Sequence, residues 1–274
     1  MSNQEDIKAF IELIKKETGV DFSKYSEKSF KRRIEKLEQD LGLNISDILL
    51  KLKLKKLNAK DIVEDITVNT TELFRDTAMW VSVFKELKKL RQNQDSINVL
   101  HLGVSSGEEL YSTKILLNEL GFSKINSVGI DLNSKIIQSA EKAVYKNNII
   151  ADYIDNYNKV CNELIDEHKF KPHTEYFKFN KKTDEIIVKN NIKSNVAFFV
   201  DDIISCDLSK YGTFDMVMCR NILIYFNMEI QNMILYKIYK ILRQSGVLVL
   251  GAHESIYAPL SSKFIEKGDI FIKS

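Results

Sequence analysis

The chain has 274 residues, with 40 Lys+Arg against 38 Asp+Glu for a formal net charge of +2, and 44% of its residues are hydrophobic. That composition excludes a disordered tail, and the charge balance argues against a surface built to grip nucleic acid phosphates. No run approaches the roughly 18 to 20 apolar residues that span a bilayer, the opening MSNQEDIKAF carries acids where a signal peptide needs cations, and Cys161, Cys206 and Cys219 are odd in number and too scattered for a disulfide framework, so a cytoplasmic protein is expected.

In chain order, the first seventy residues read as helices. IKAFIELIKKETG places Ile7, Phe10, Ile11 and Ile14 at helical spacing and stops at Gly19. SEKSFKRRIEKLEQDLG opens on Ser26 as N-cap, closes at Gly42, and carries Phe30, Ile34, Leu37 and Leu41 on one stripe. Short helices over SDILLKLKLKKL and AKDIVEDI follow, and FKELKKL is helical again.

From residue 97 the texture changes. INVLHLG, INSVGID, VAFFVDD, FDMVMC and GVLVLG are short runs rich in Val, Ile and Phe, and YSTKILLNELG, NSKIIQSAEKAVY and MEIQNMILYKIYKILRQSG are amphipathic helices between them. That alternation predicts an open, mostly parallel α/β sheet. Residues 151–195 break the rhythm with a polar helix, YIDNYNKVCNELIDEH, and two alternating runs about a KKTDE turn, which predict a small antiparallel insertion.

The chemistry concentrates at strand ends. NVLHLGVSSGEELYS is a strand, a turn framed by Gly103 and Gly107, and a helix start, where backbone N–H groups can approach a ligand closely. Glu108 and Glu109 at that helix start repel a pyrophosphate, so a dinucleotide oxidoreductase is disfavoured; alternatively the two acids only complement the helix dipole. Asp131, ending the second strand, is placed to accept ribose hydroxyls or to cap the next helix. Asp201 and Asp202 end the third strand, and Arg220, Asn221 and Tyr225 of CRNILIYF stand at the fourth. Cys161, His168 and His173 match no usual zinc spacing, so no metal is expected, and His101 and His253 read as structural.

VNTTELFRD, GVSSGEELYS, GIDLNSKIIQSAEKAVY, CRNILIYF and GVLVLGAHES, in this order and spacing, resemble the CheR-type chemotaxis receptor methyltransferases, the S-adenosylmethionine-dependent protein-glutamate O-methyltransferases. The resemblance covers nearly the whole chain. It implies an α/β fold, a Rossmann-like class I methyltransferase seven-stranded sheet, with an N-terminal all-α domain over residues 1–72 and a methyltransferase domain over 73–274 carrying a β-subdomain at about 174–196. It further implies that Asn69, Thr71, Arg75, Glu109, Asp131, Asp202, Ile203, Arg220 and Asn221 contact S-adenosylmethionine, that Arg75 and Tyr225 are catalytic, and that the products are a glutamyl methyl ester and S-adenosylhomocysteine. Three positions and one segment depart from the family pattern: Leu110 stands for a usual Pro, Asp202 for Asn, Leu73 for a second Phe, and the insertion before TEYFKFN is long.

The partner implied is the acidic helical cytoplasmic region of a chemotaxis receptor. Between positions 24 and 36 six cations face two acids, and Lys28, Lys31, Arg32, Arg33 and Lys36 form a basic helix face suited to it, with the β-subdomain as a second candidate contact. The +2 total is uneven: residues 1–60 hold 14 Lys+Arg against 10 Asp+Glu, the rest 26 against 28. A monomer, with no nucleic acid partner and no membrane insertion, is expected. The competing readings are a non-catalytic S-adenosylmethionine-sensing scaffold and a same-fold methyltransferase with another substrate.

Overall fold

The computed structural model describes residues 4–146, 150–180 and 182–274, and the chain divides into two compact units, Met1–Val68 with Ile222–Met233, and Asn69–Asn221 with Ile234–Ser274. In the first unit, α1 (Gln4–Thr18) buries Phe10 and Ile14 and ends where the Gly19 N–H reaches the Lys15 carbonyl. The α2 helix (Glu27–Leu41) begins under the Ser26 hydroxyl, which accepts from the Ser29 N–H, and ends on left-handed Gly42, φ 62°. Both caps are the ones its sequence predicts. Helices α3 (Ile45–Lys53) and α4 (Ala59–Ile66) complete the bundle, α1 packing on both and α2 on α4, around Ile34, Leu37, Ile48 and Ile62.

A distant piece of chain completes this unit. The Tyr225 carbonyl accepts from the Ser26 N–H at 2.8 Å, the Asn227 N–H donates to the Lys24 carbonyl at 3.2 Å, and the rings of Tyr25 and Phe226 meet edge to face at 4.9 Å.

The second unit opens with α5 (Thr77–Asn93) and alternates thereafter: β1 (Ser96–Leu102), α6 (Glu108–Glu119), β2 (Lys124–Asp131), α7 (Ser134–Lys142), β3 (Val144–Lys146), α8 (Ile150–Glu163), β4 (Phe177–Asn180), β5 (Glu185–Val188), α9 (Asn190–Lys193), β6 (Val196–Val200), β7 (Phe214–Cys219), α10 (Met228–Ile241, of which the part from Ile234 belongs to this unit), β8 (Leu242–Leu250), β9 (Phe264–Lys267) and β10 (Ile270–Lys273). The seven-stranded sheet has the order β6-β2-β1-β7-β8-β10-β9; the first five strands run parallel, and β10 and β9 are antiparallel. The order reverses between β1 and β7, and a crevice outside the carboxyl ends of strands at such a reversal is where α/β sheets take ligands.

Three elements differ from the sequence reading, one being the helix expected through MEIQNMILYKIYKILRQSG, which ends at Ile241 because Leu242–Ser245 are already part of β8. The helix expected through NSKIIQSAEKAVY stops at Lys142, because Ala143 turns left-handed at φ 52° and frees Val144 and Tyr145 to pair with Ile187 and Ile186. The antiparallel insertion is therefore three-stranded, in the order β3-β5-β4. Lys181, the first residue of the expected KKTDE turn, lies outside the described residues. The final hairpin, β9 and β10 about Gly268, supplies the two strands that no apolar run had marked.

Candidate active site

The site is assembled at the carboxyl ends of β1, β2, β6 and β7. After β1 the chain makes a tight turn with Ser105 and Gly107 both at positive φ, 51° and 93°. A Cβ on Gly107 would lie 2.9 Å from the Tyr111 ring and 3.2 Å from the Ala140 Cβ, so only glycine lets α6 start there. Ser105 laces three segments together. Its N–H donates to Asp131 Oδ2 at 2.9 Å, and its hydroxyl donates to the Asn69 carbonyl at 3.0 Å. Asp131 Oδ1 accepts from the Asn133 N–H at 3.0 Å, while Asn133 itself caps α7, so Asp131 is free of the capping duty that was its alternative role. Burial raises the Asp131 carboxyl above its ordinary value despite the N–H groups of Asn133, Ser105 and Leu132.

The two adjacent acids of α6 take opposite fates. Glu108 is buried and turned toward α8, accepting from the Ser106 hydroxyl at 2.7 Å and the Tyr153 hydroxyl at 3.1 Å, and burial raises its carboxyl. Glu109 points the other way. Its Oε1 hydrogen-bonds His101 Nδ1 at 3.1 Å, and its Oε2 accepts from Arg220 Nη1 at 3.1 Å. Burial by itself raises the Glu109 carboxyl, but the His101 hydrogen bond and the Arg220 charge outweigh it and hold the group below its ordinary value, ionised. Arg220, 6% exposed, also gives Nη2 to Asp76 Oδ2 at 2.5 Å.

The segment 69–76 is held over this array. The Phe74 N–H donates to Ser112 Oγ at 2.9 Å, Trp80 Nε1 donates to the Arg75 carbonyl at 2.8 Å, and Arg75 Nη1 donates to the Thr70 carbonyl at 3.2 Å. Phe74 and Asp76 both sit at positive φ, 54° and 60°, a local cost met by those bonds. Thr71 is half-buried in the same segment.

At the neighbouring strand end, Asp201 N–H donates to the Asp131 carbonyl at 3.0 Å, which sets β6's exit beside β2's. Asp201 is paired with Lys210 and Tyr211. Asp202 closes its own turn, accepting from the Ile204 N–H at 2.9 Å and the Ser205 hydroxyl at 3.2 Å, and burial raises its carboxyl. Asn221 is left-handed at φ 59°, and its N–H donates to Glu254 Oε2 at 2.9 Å. That same oxygen accepts from the Gly251 N–H at 2.7 Å. Sequence reasoning passed over Glu254 and Asp76; their only signal was position inside GVLVLGAHES and VNTTELFRD.

The chain matches the family described as CheR methyltransferase, SAM binding domain, over residues 69–268, and the CheR methyltransferase all-alpha domain over residues 5–67. It belongs to the CheR methyltransferase family. A Pseudomonas putida relative named Cher3 is 30% identical over 98% of this chain and 97% of its own length. A chemotaxis protein methyltransferase of Listeria monocytogenes is 26% identical over 93% and 92%, and chemotaxis protein methyltransferase 1 of Pseudomonas aeruginosa is 27% identical over 92% and 90%.

This CheR-family enzyme is an S-adenosylmethionine-dependent methyltransferase, and its residues fit that cofactor. Around one guanidinium stand the carboxylates of Glu109 and Asp76, with Asp131 one strand away, an excess of negative charge suited to a cationic ligand that also carries ribose hydroxyls. Two buried polar atoms, Arg220 Nε and His101 Nε2, have no hydrogen-bond partner among the described residues, and a polar ligand can satisfy such groups. Asn69 and Asp131 are thus joined through the hydroxyl and N–H of Ser105, and Glu109 and Asp76 through Arg220, with Asp202 and Ile203 at the turn adjoining Asp131. Tyr225 belongs to the helical unit instead. There the Arg33 guanidinium lies 5.1 Å from its ring centroid. Among the described residues no cluster of His, Cys, Asp or Glu is arranged to hold a metal, and no helix is long and apolar enough to cross a membrane; His168 Nε2 hydrogen-bonds Glu119 instead.

Proposed function

We propose that this methyltransferase esterifies glutamate side chains on the acidic, helical cytoplasmic region of chemotaxis receptors, acting as a cytoplasmic monomer. The observation that carries the reading lies in the helical unit. Lys28, Arg32, Arg33 and Lys36 line an open groove of about 520 Å³ together with Ser26, Ser29, Ile224 and Tyr225. No acid lines it. A residue assigned to methyl transfer therefore shares its groove with four cations, the surroundings an acidic helix needs in order to present a carboxylate. Lys31 is exposed on α2 outside that lining.

When bound, S-adenosylmethionine supplies an electrophilic methyl group on a sulfonium. A glutamate carboxylate is already ionised near pH 7, so the chain's residues need supply no strong base, only alignment and exclusion of water. Asp131 is assigned to the ribose hydroxyls, Asp202 and Ile203 to the adenine, and Asn69, Thr71, Glu109, Arg220 and Asn221 to the amino-acid end and its surroundings. Arg75 and the Tyr225 hydroxyl are assigned to orient the attacking carboxylate.

Incubation with methyl-labelled S-adenosylmethionine and receptor-containing membranes tests this. Label entering receptors as a base-labile ester supports it; base-stable label, or label in nucleic acid, overturns it. If Tyr225→Phe and Arg75→Ala both keep normal turnover and cofactor binding, the two catalytic assignments fall.

A further inference from the structure

The turn after β6 is held by a residue that no motif contains. Lys237, half-buried on α10, donates from its Nζ to the carbonyls of Ile203 at 3.3 Å, Ile204 at 2.6 Å and Cys206 at 2.8 Å. Three carbonyl dipoles converging on one point repel one another, and an ammonium with three donors is the side chain that turns this repulsion into attraction. The anchor itself is rigid, because Ile234, Leu235, Ile238 and Ile241 of the same helix are buried. From the other side, the turn is closed by Asp202, whose carbonyl accepts from the Ser205 and Cys206 N–H groups and whose carboxylate accepts from the Ile204 N–H.

With the carbonyls of residues 203, 204 and 206 drawn toward α10, the Ile203 N–H is left donating to no acceptor among the described residues. This donor lies in the turn assigned to the adenine. The Asp202 carboxylate offers only acceptors at this edge, so the donor is the backbone N–H, and a backbone donor reads only as sharply as its peptide plane is fixed.

We propose that Lys237 is a positioning residue that sets the enzyme's selectivity for adenine over other purines by fixing the Ile203–Cys206 turn. The inference rests on the assignment of Asp202 and Ile203 to the cofactor's base. Adenine and hypoxanthine differ in the donor and acceptor pattern of this edge, so a fixed donor discriminates between them and a loose one does not.

The test is calorimetric titration of the full-length protein with S-adenosylhomocysteine and with S-inosylhomocysteine. The parent enzyme is expected to prefer the adenosyl ligand by at least about tenfold, roughly one hydrogen bond's worth. Lys237→Met is expected to lose most of that ratio by weakening the adenosyl ligand alone, and Lys237→Arg, which keeps cationic donors, to retain it. A merely structural lysine would weaken both ligands together and leave the ratio unchanged, and that result overturns the inference. Should Lys237→Met fail to fold, Lys237→Gln reads the same ratio. A parent enzyme that binds both ligands equally also overturns the inference, by removing adenine reading from the turn, whereas no binding of either ligand would strike the cofactor assignment itself.

Discussion

The groove of the helical unit and the acid array of the methyltransferase unit treat charge in opposite ways. In the groove, Lys28, Arg32 and Lys36 are exposed, and among the described residues none of the four lining cations is in an ion pair; Arg33 lies over the Tyr225 ring. In the array, Arg220 is buried and already committed to Asp76 and Glu109, which is tied in turn to His101. Exposed, unpaired cations contribute little to folding but are free to steer an acidic partner, whereas buried pairs are costly to break and hold geometry. On the function proposed above, one region serves encounter and the other alignment.

The largest expected effect comes from breaking the array. Arg220→Ala leaves Glu109 buried without its cation and is expected to cost about 3 kcal/mol of stability by urea unfolding, the low end for a broken buried pair because Asp76 is half-exposed, and to abolish S-adenosylhomocysteine binding. Unchanged unfolding would mean that the array is not prepaired. Next, Asp131→Asn is expected to weaken cofactor binding by about 10- to 100-fold, since a carboxylate accepting hydrogen bonds contributes about 1.5–3 kcal/mol, with a smaller loss of stability from the Ser105 and Asn133 bonds. Reversing the groove cations, Arg32→Glu with Arg33→Glu, is expected to raise the Michaelis constant for receptor about tenfold while leaving cofactor affinity intact, and to reduce the salt dependence of turnover. A change in cofactor affinity instead would erase the division of labour between the two regions.

The smallest effect, and the sharpest in sign, separates the neighbours Glu108 and Glu109. Because burial raises the Glu108 carboxyl, the stability linked to its proton is present in full below its ordinary value and is lost as pH rises through the raised one. Glu108→Gln escapes that loss. It is expected to match the parent in acid and exceed it at neutral pH, the gap opening by up to about 1.4 kcal/mol per pH unit inside that window. Glu109, held low by His101 and Arg220, has the reverse dependence: its contribution is present above its ordinary value and lost as pH falls, so Glu109→Gln is expected to hurt at neutral pH and less in acid. Thermal melts of both variants across pH 3–8 check the pair.

Much of this was legible from local pattern. Helix α2 runs between Ser26 and Gly42 because a cap hydroxyl and a left-handed glycine act on their immediate neighbours, and five strands stood out as apolar runs between turns. By contrast, the hairpin of β9 and β10 has short, half-polar strands such as FIEK, which carry little signal without the sheet they extend. Strand β3 hid inside a helical pattern, because Val144 and Tyr145 suit either state until β5 is there to pair with.

By itself, the sequence determined the alternation of strands and helices, the caps, the glycine turn after β1, and which acids and cations the strand ends would offer. Only the tertiary structure decided how those groups are spent. It sent Glu108 toward Tyr153 and Glu109 toward Arg220, relieved Asp131 of capping, drew residues 222–233 into the helical unit, and closed the turn after β6 on Lys237. Caps and periodicity act over a few residues, so they can be read along the chain; ion pairs and converging carbonyls join groups as far apart as Asp76 and Arg220, and exist only once the sheet has set its strand order.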